Sequence, residues 1–155
     1  TLEVFSVSDW AGCPRTRKST SGGIVSLAGA TLKTWSKTQI SIALSSAEAE
    51  YFGAMAAARD LLFYRDLLLD FGVSFSGPTE MLTDSKSTVD LSIDPVAFKN
   101  TKHILRAAEF LRDLVTREVV SVEHISGVVM LADILTKAAS GGVFVDLIKQ
   151  LDSFA

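Results

Sequence analysis

Three carboxylates stand at points in this chain where a charge needs a reason. Glu50 lies in Ala43-Leu44-Ser45-Ser46-Ala47-Glu48-Ala49-Glu50-Tyr51. At about 100° per residue it falls on the apolar stripe of Ala54, Ala57, Leu61, Tyr64 and Leu68, with Glu48 on the opposite face beside Arg59, Asp66 and Asp70. Asp84 follows the short run Glu80-Met81-Leu82-Thr83 and precedes a helical pattern, the kind of junction where open α/β sheets hold their ligands. Asp133 sits in Val128-Val129-Met130-Leu131-Ala132-Asp133-Ile134-Leu135-Thr136-Lys137, apolar on both sides. A carboxylate withdrawn from water must be paired, protonated or bound to a cation. Mg²⁺ takes oxygen ligands and keeps several waters. Two such ions roughly 3.5 to 4 Å apart can activate a water and stabilise the leaving oxygen in phosphodiester cleavage. Plainer roles stay open: a first-turn charge for Glu50, an N-cap for Asp84, an acid at a helix's positive end for Asp133. Spacing alone does not bring the three together.

The elements that must position them read as follows. Residues 2–8 form a strand, followed by a loop with Pro14, Arg15, Arg17 and Lys18. Ile24 to Leu27 and Leu32 to Trp35 form a hairpin, completing a three-stranded meander. Ser45 and Glu48 have capping-box spacing, so the long helix starts there and runs to Phe71, with Gly72 as its stop. A short strand at Glu80–Thr83 leads into a helix beginning at Asp84-Ser85, and Leu91 to Lys99 is read as irregular. Helical spacing returns from Thr101 to Arg117, a last strand covers Val119 to Ile125, and helices are expected at about 129–139 and 143–151. The order βββαβααβαα specifies a mixed sheet covered by helices, an α/β fold.

Length and composition narrow the chemistry. At 155 residues, 48% hydrophobic and 21% charged, the chain suits a single globular domain, 1–155, with 143–155 as a C-terminal helical extension. The lone Cys13 leaves neither a disulfide framework nor a zinc site, and His103 and His124 are the only imidazoles, so a metal would be held by oxygen. A net charge of −3 is at odds with indiscriminate nucleic-acid binding but leaves room for local basic patches. No apolar run approaches the ~18 residues of a membrane span, and no targeting sequence opens the chain. It reads as a domain excised from a longer polypeptide, intracellular, cytoplasmic or nuclear, with no membrane partner.

Several multi-residue motifs carry a resemblance. Ser8-Asp9-Trp10-Ala11-Gly12-Cys13-Pro14 with Arg17-Lys18-Ser19-Thr20-Ser21-Gly22, the Ala43–Tyr51 stretch, Thr83-Asp84-Ser85, Thr101-Lys102-His103-Ile104 and Leu131–Lys137 occur in order over nearly the whole chain. Together they resemble the ribonuclease H domain of Ty1/copia-type retrotransposon polyproteins, which carries a reverse transcriptase alongside. The resemblance implies a ribonuclease H-like fold, a five-stranded mixed sheet with its first three strands antiparallel. It implies hydrolysis of the RNA strand of RNA:DNA hybrids by two Mg²⁺ or Mn²⁺ held on four carboxylates. By motif, three of these are Glu50 (not Glu48), Asp84 and Asp133.

The departure is at the first. The family pattern Ser-Asp-x-Asp-Trp-Ala-Gly meets Ser6-Val7-Ser8-Asp9-Trp10-Ala11-Gly12, so Val7 stands where a metal-bridging Asp is implied. Valine has no ligand atom, which implies weak metal occupancy and little or no cleavage. Asp9, on the same side of an ideal strand but roughly 7 Å farther on, substitutes only if the strand end bends. Arg15, Arg17, Lys18, Lys99, Lys102, His103 and Arg106 are candidate phosphate contacts, each with a solvated-charge reading beside it. His103 is read as a structural hydrogen-bonder and His124 as a group near Asp133 that could assist product release. Trp10 and Trp35 are read as core or rim packing. The isolated domain is expected to be monomeric. The competing class is a non-catalytic hybrid-binding or structural module; a different ribonuclease H-like nuclease or integrase fits the motifs less well.

Overall fold

The computed structural model describes residues 1–94, 102–127 and 130–136, the backbone alone over 102–107, and the isolated positions 142, 145, 148 and 149. Among the described residues a five-stranded sheet has the order β3-β2-β1-β4-β5. Its strands are β1 (Leu2–Asp9), β2 (Thr20–Leu27), β3 (Ala30–Thr38), β4 (Thr79–Thr83) and β5 (Val120–His124). The first three form the expected antiparallel meander, while β4 joins β1 and β5 joins β4 in parallel. The helices are α1 (Ser46–Asp70), α2 (Lys86–Ile93) and α3 (Lys102–Thr116), followed by a 3₁₀ helix at Leu131–Leu135.

Alternation along β1 divides the core. Leu2 and Val4 face α1 and join Val25, Met81 and Val120 beneath Tyr51, Ala54, Ala57, Ala58 and Leu61. The alanines keep α1 close to the strands, and α3 completes this layer through Ala108, Leu111 and Leu114. Phe5 and Val7 face the other way, where Val7, Ile24, Met130, Leu131 and Ala132 form a second, smaller cluster. The α1–β4 connection is tied back by Arg65, whose guanidinium lies 4.3 Å from the Phe75 ring centroid and donates to the Gly77 carbonyl and Thr79 Oγ1.

Helix α1 follows its sequence signals closely. Ser45 is the N-cap, its hydroxyl accepting from the Glu48 amide, and Gly72 follows the C-cap Phe71 at φ +82°. Three expectations are corrected. Strands β2 and β3 are longer than their apolar cores, because Thr20, Ser21, Gly22 and Gly23, read as part of the loop, pair with β1 on one side and with Trp35–Thr38 of β3 on the other. Leu91–Ile93 belongs to α2 rather than to an irregular stretch. Leu131–Leu135 is 3₁₀ rather than α-helical, held down by the packing of Met130–Ala132 on Val7 and Ile24. The rest of the expected 129–139 and 143–151 helices lies largely outside the described residues, as does 95–101.

Gly53 allows α1 to approach β1. A Cβ at this position would lie 2.4 Å from Ser8 Oγ, itself bonded at 2.8 Å to Ser21 Oγ. Gly53→Ala is therefore expected to lower stability by about 1–3 kcal/mol of overpacking, against roughly 0.5–1 kcal/mol gained in helix propensity. Urea denaturation of the two proteins reads the net loss, and a stabilised variant would contradict this close packing.

Candidate functional site

Val7 is the point at which the elements bearing the three carboxylates meet. It is fully buried and paired with Gly22 on the neighbouring strand. Immediately after it, the Ser8 amide donates to Glu50 Oε2 at 3.0 Å, so the head of α1 is fastened to the end of β1. The β1–β4 ladder ends at Ser6 and Thr83, which makes Asp84 the first residue beyond β4 at the Val7 end of the sheet. Met130, Leu131 and Ala132 pack against Val7, and Asp133 follows in the same 3₁₀ helix. One glycine, Gly22, makes room here, while Gly127 lies at ordinary contact distance from Asp84. A Cβ on Gly22 would lie 2.7 Å from Leu135 Cβ, so the 3₁₀ helix can settle on β2, and a Cβ on Gly127 would lie 3.6 Å from Asp84 Oδ2.

The structure separates Glu48 from Glu50 differently than helical periodicity predicts. Glu48 is only 5% exposed, not on an open polar face. Its carboxylate reaches back to accept from the Leu44 amide at 2.6 Å, and its own amide donates to Ser45 Oγ at 3.2 Å. It is a capping group whose burial is offset by hydrogen bonds. Glu50 is half-buried and fixed by a strand amide rather than fraying with the first turn. The N-cap reading of Asp84 also gives way: Ser85 caps α2, its hydroxyl accepting from the Thr88 amide at 3.3 Å. Asp84 Oδ1 is shut off from solvent at the strand end.

Asp9 is committed elsewhere. Strand β1 stays in regular register through Asp9–Thr20, without the bend a substitute ligand would need. Its Oδ1 accepts from the Thr20 amide at 2.6 Å, and its carboxylate lies over Gly12, where a Cβ would collide with Oδ2 at 1.6 Å. Asp9 thus closes the β1–β2 loop. On that loop Arg15 and Arg17 are exposed and Lys18 half-buried, at the same end of the sheet as Val7 and Glu50, while Thr16 holds the Cys13 thiol below its ordinary pKa. His124 ends β5 opposite Thr83 and is exposed. Trp10 is half exposed and donates through Nε1 to the Ala43 carbonyl, fixing the loop before α1, whereas Trp35 packs against the core. Tyr51, beside Glu50, is fully buried, and burial pushes its hydroxyl well above the ordinary range, so it stays neutral. The side chains of Lys102, His103 and Arg106, and Lys99 altogether, lie outside the described residues.

A metal centre is tested by this donor set. Glu50, Asp84 and Asp133 supply the right oxygen chemistry, yet among the described residues no group of three or more His, Cys, Asp or Glu side chains is placed to hold an ion. Val7, on the strand that Glu50 is bonded to, contributes only methyl groups, in an apolar cluster. The residues present do not fit a dinuclear centre.

No protein-family model matches the chain. It is 34% identical over 143 residues to the retrovirus-related Pol polyprotein from transposon RE2 of Arabidopsis thaliana, a match covering 92% of this chain and 10% of that relative. It is 31% identical over 150 residues to the corresponding polyprotein from transposon TNT 1-94 of Nicotiana tabacum, covering 97% and 11%. The chain thus spans about a tenth of the length of the curated relatives it matches. Among solved structures it is similar to LC11-RNase H1, crystallised with an RNA/DNA hybrid, with TM-score 0.63, 18% identity and coverage of 88% of this chain and 94% of that one. It is also similar to RNase H1 from the halophilic archaeon Halobacterium salinarum NRC-1, with TM-score 0.58, 20% identity and coverage of 94% and 98%. These likenesses, with the strand order, show the ribonuclease H-like fold.

The two glutamates of α1 should separate in experiment. Ser45→Ala removes a cap and is expected to cost about 0.5–2 kcal/mol, and Glu48→Ala should destabilise comparably by leaving the Leu44 amide unmatched. Glu50→Gln keeps an acceptor for the Ser8 amide and should leave stability nearly unchanged. Thermal unfolding of the three variants checks this; a large loss in Glu50→Gln with none in Glu48→Ala would reverse the assignment.

Proposed function

From a chain that has the ribonuclease H fold and is a homologue of Ty1/copia-type retrotransposon Pol polyproteins over most of its length, we propose a ribonuclease H domain of such a polyprotein whose cleavage of RNA:DNA hybrids is impaired by Val7. The observation that carries this reading is the disposition of Glu50, Asp84 and Asp133 on three elements that meet at one valine. In this reading the three are the remaining members of a carboxylate set, and Val7 occupies the place of the fourth. Mg²⁺ or Mn²⁺ would supply a Lewis acid and an activated water only to a complete carboxylate set, which the residues present do not form. This chain's own residues hold Glu50 on the Ser8 amide and draw the Asp133 segment onto Gly22.

The substrate and partners belong to the same proposal. The RNA:DNA hybrid is the duplex named with LC11-RNase H1, and reverse transcriptase is named with the foamy viral protease-reverse transcriptase, which this chain resembles at TM-score 0.60 and 18% identity over 87% of its length. Arg15, Arg17 and Lys18 are the phosphate contacts for which exposure and position argue, and Lys102 and Arg106 join them by motif alone. A second reading has its own support. The complete burial of Val7 against Met130, Leu131 and Ala132 suits a module that grips a hybrid without cutting it.

Cleavage of an end-labelled RNA:DNA hybrid with Mg²⁺, and separately Mn²⁺, distinguishes them. This chain is expected to cut little, Val7→Asp to gain activity, and Val7→Asp/Glu50→Gln to lose it again. Robust cutting by the unmodified chain overturns the role given to Val7. Hybrid binding without cleavage in either this chain or Val7→Asp leaves the binding module.

A further inference from the structure

An open groove of about 590 Å³ lies between the edge strand β3 and α1, apart from the carboxylates. Its floor is aromatic, with Trp35 from β3 and Phe52 from α1. Gly23 lets the indole lie on the sheet, since a Cβ there would come within 2.7 Å of its ring atoms. Its rim is basic: Lys33 is balanced by Asp60 at 2.8 Å, whereas Lys37 and Arg59 are exposed and make no ion pair among the described residues. Two unpartnered cations on one groove contrast with the net charge of −3 on the whole chain.

The polar groups at the base have an unusual balance. Trp35 Nε1 is a donor and Gln39 Oε1 an acceptor, both closed off from solvent and both without a hydrogen-bond partner among the described residues. Burying a donor and an acceptor unsatisfied is costly. A nucleotide presents an acceptor and a donor on one edge of its base, a base face for aromatic stacking, and a phosphate for cations. The groove is also wired to the candidate site. Gln39 Nε2 donates to Ser21 Oγ at 2.7 Å and to the Ala49 carbonyl at 2.8 Å. Ser21 Oγ bonds Ser8 Oγ at 2.8 Å, and the Ser8 amide holds Glu50.

We infer that this groove binds a nucleotide unit of a single-stranded nucleic acid, with Trp35 and Phe52 contacting the base and Lys37 and Arg59 its phosphates. The choice of a nucleotide over another flat anion rests in part on the ribonuclease H reading above. Occupancy would act on Gln39 and thereby on the bonds that hold Ser21, Ser8 and Ala49, so a strand seated here touches the same network that positions Glu50.

The test uses the whole chain and a fluorescein-labelled hexathymidylate at low salt. Lys37→Glu and Arg59→Glu, both exposed in the fold, are each expected to weaken binding at least about fivefold and to lower the salt slope by about one. In a Trp10→Phe background Trp35 is the sole indole of the two in the chain, and its emission should be quenched on binding. Unlabelled hexathymidylate should quench it as well, whereas inorganic phosphate at equal phosphate concentration should not. Affinity unchanged in both charge variants, no quench, or no binding at all would overturn the groove site. Parallel titration with an RNA:DNA hybrid separates the two readings. A hybrid that binds while the oligonucleotide ignores the groove variants sinks this inference alone. Groove-dependent oligonucleotide binding with no hybrid affinity sinks the hybrid-handling reading and leaves the groove.

Discussion

The hydrogen bond from the Ser8 amide to Glu50 Oε2, 3.0 Å long, joins the end of the central strand to the start of the longest helix. It forms only because α1 comes very close to β1, and that approach requires a bare Cα at Gly53 and small residues along the buried face. One turn earlier, Ser45 and Glu48 set where the helix begins and so which residue reaches the Ser8 amide. A slip of one residue would turn the carboxylate by about 100° around the helix. The cap, the glycine and the strand amide act as one device, and the carboxylate position depends on all three.

The opposite face of the sheet meets this device at Val7. Valine here adds an uncharged, apolar contact, onto which Met130, Leu131 and Ala132 close. The site is therefore better packed and less suited to a divalent ion than its acidic surroundings imply. Valine brings no ligand atom to this position and gives the 3₁₀ segment something to pack on, so one side chain sets both the local chemistry and the local packing.

How much of this was legible in the sequence follows from what each signal depends on. Helix α1 could be read because its start and stop are local: Ser45 with Glu48, then Gly72. Periodicity sets Glu50 on the apolar stripe and Glu48 on the opposite face, yet Glu48 is the more buried of the two, since a helical wheel does not show a carboxylate turning back to the Leu44 amide. The starts of β2 and the full length of β3 were hidden because Thr20–Gly23 form a strand only by pairing with β1. The Asp133 segment has helical spacing, and its 3₁₀ turn packs on Val7 and Gly22, which lie more than a hundred residues away in the chain. The competition for Asp9 by the Thr20 amide, and the whole of the β3–α1 groove, exist only once the sheet is assembled.

The central claim is that one valine stands between this chain and a divalent-cation site. Isothermal titration with Mn²⁺, in the absence of nucleic acid, tests it most directly on this chain and on Val7→Asp. Weak or unsaturable binding here, saturable binding in Val7→Asp, and its loss in Val7→Asp/Glu50→Gln is the predicted result. Tight binding by the unmodified chain, abolished by Glu50→Gln, would contradict it, because the remaining carboxylates would then form a complete site around the valine.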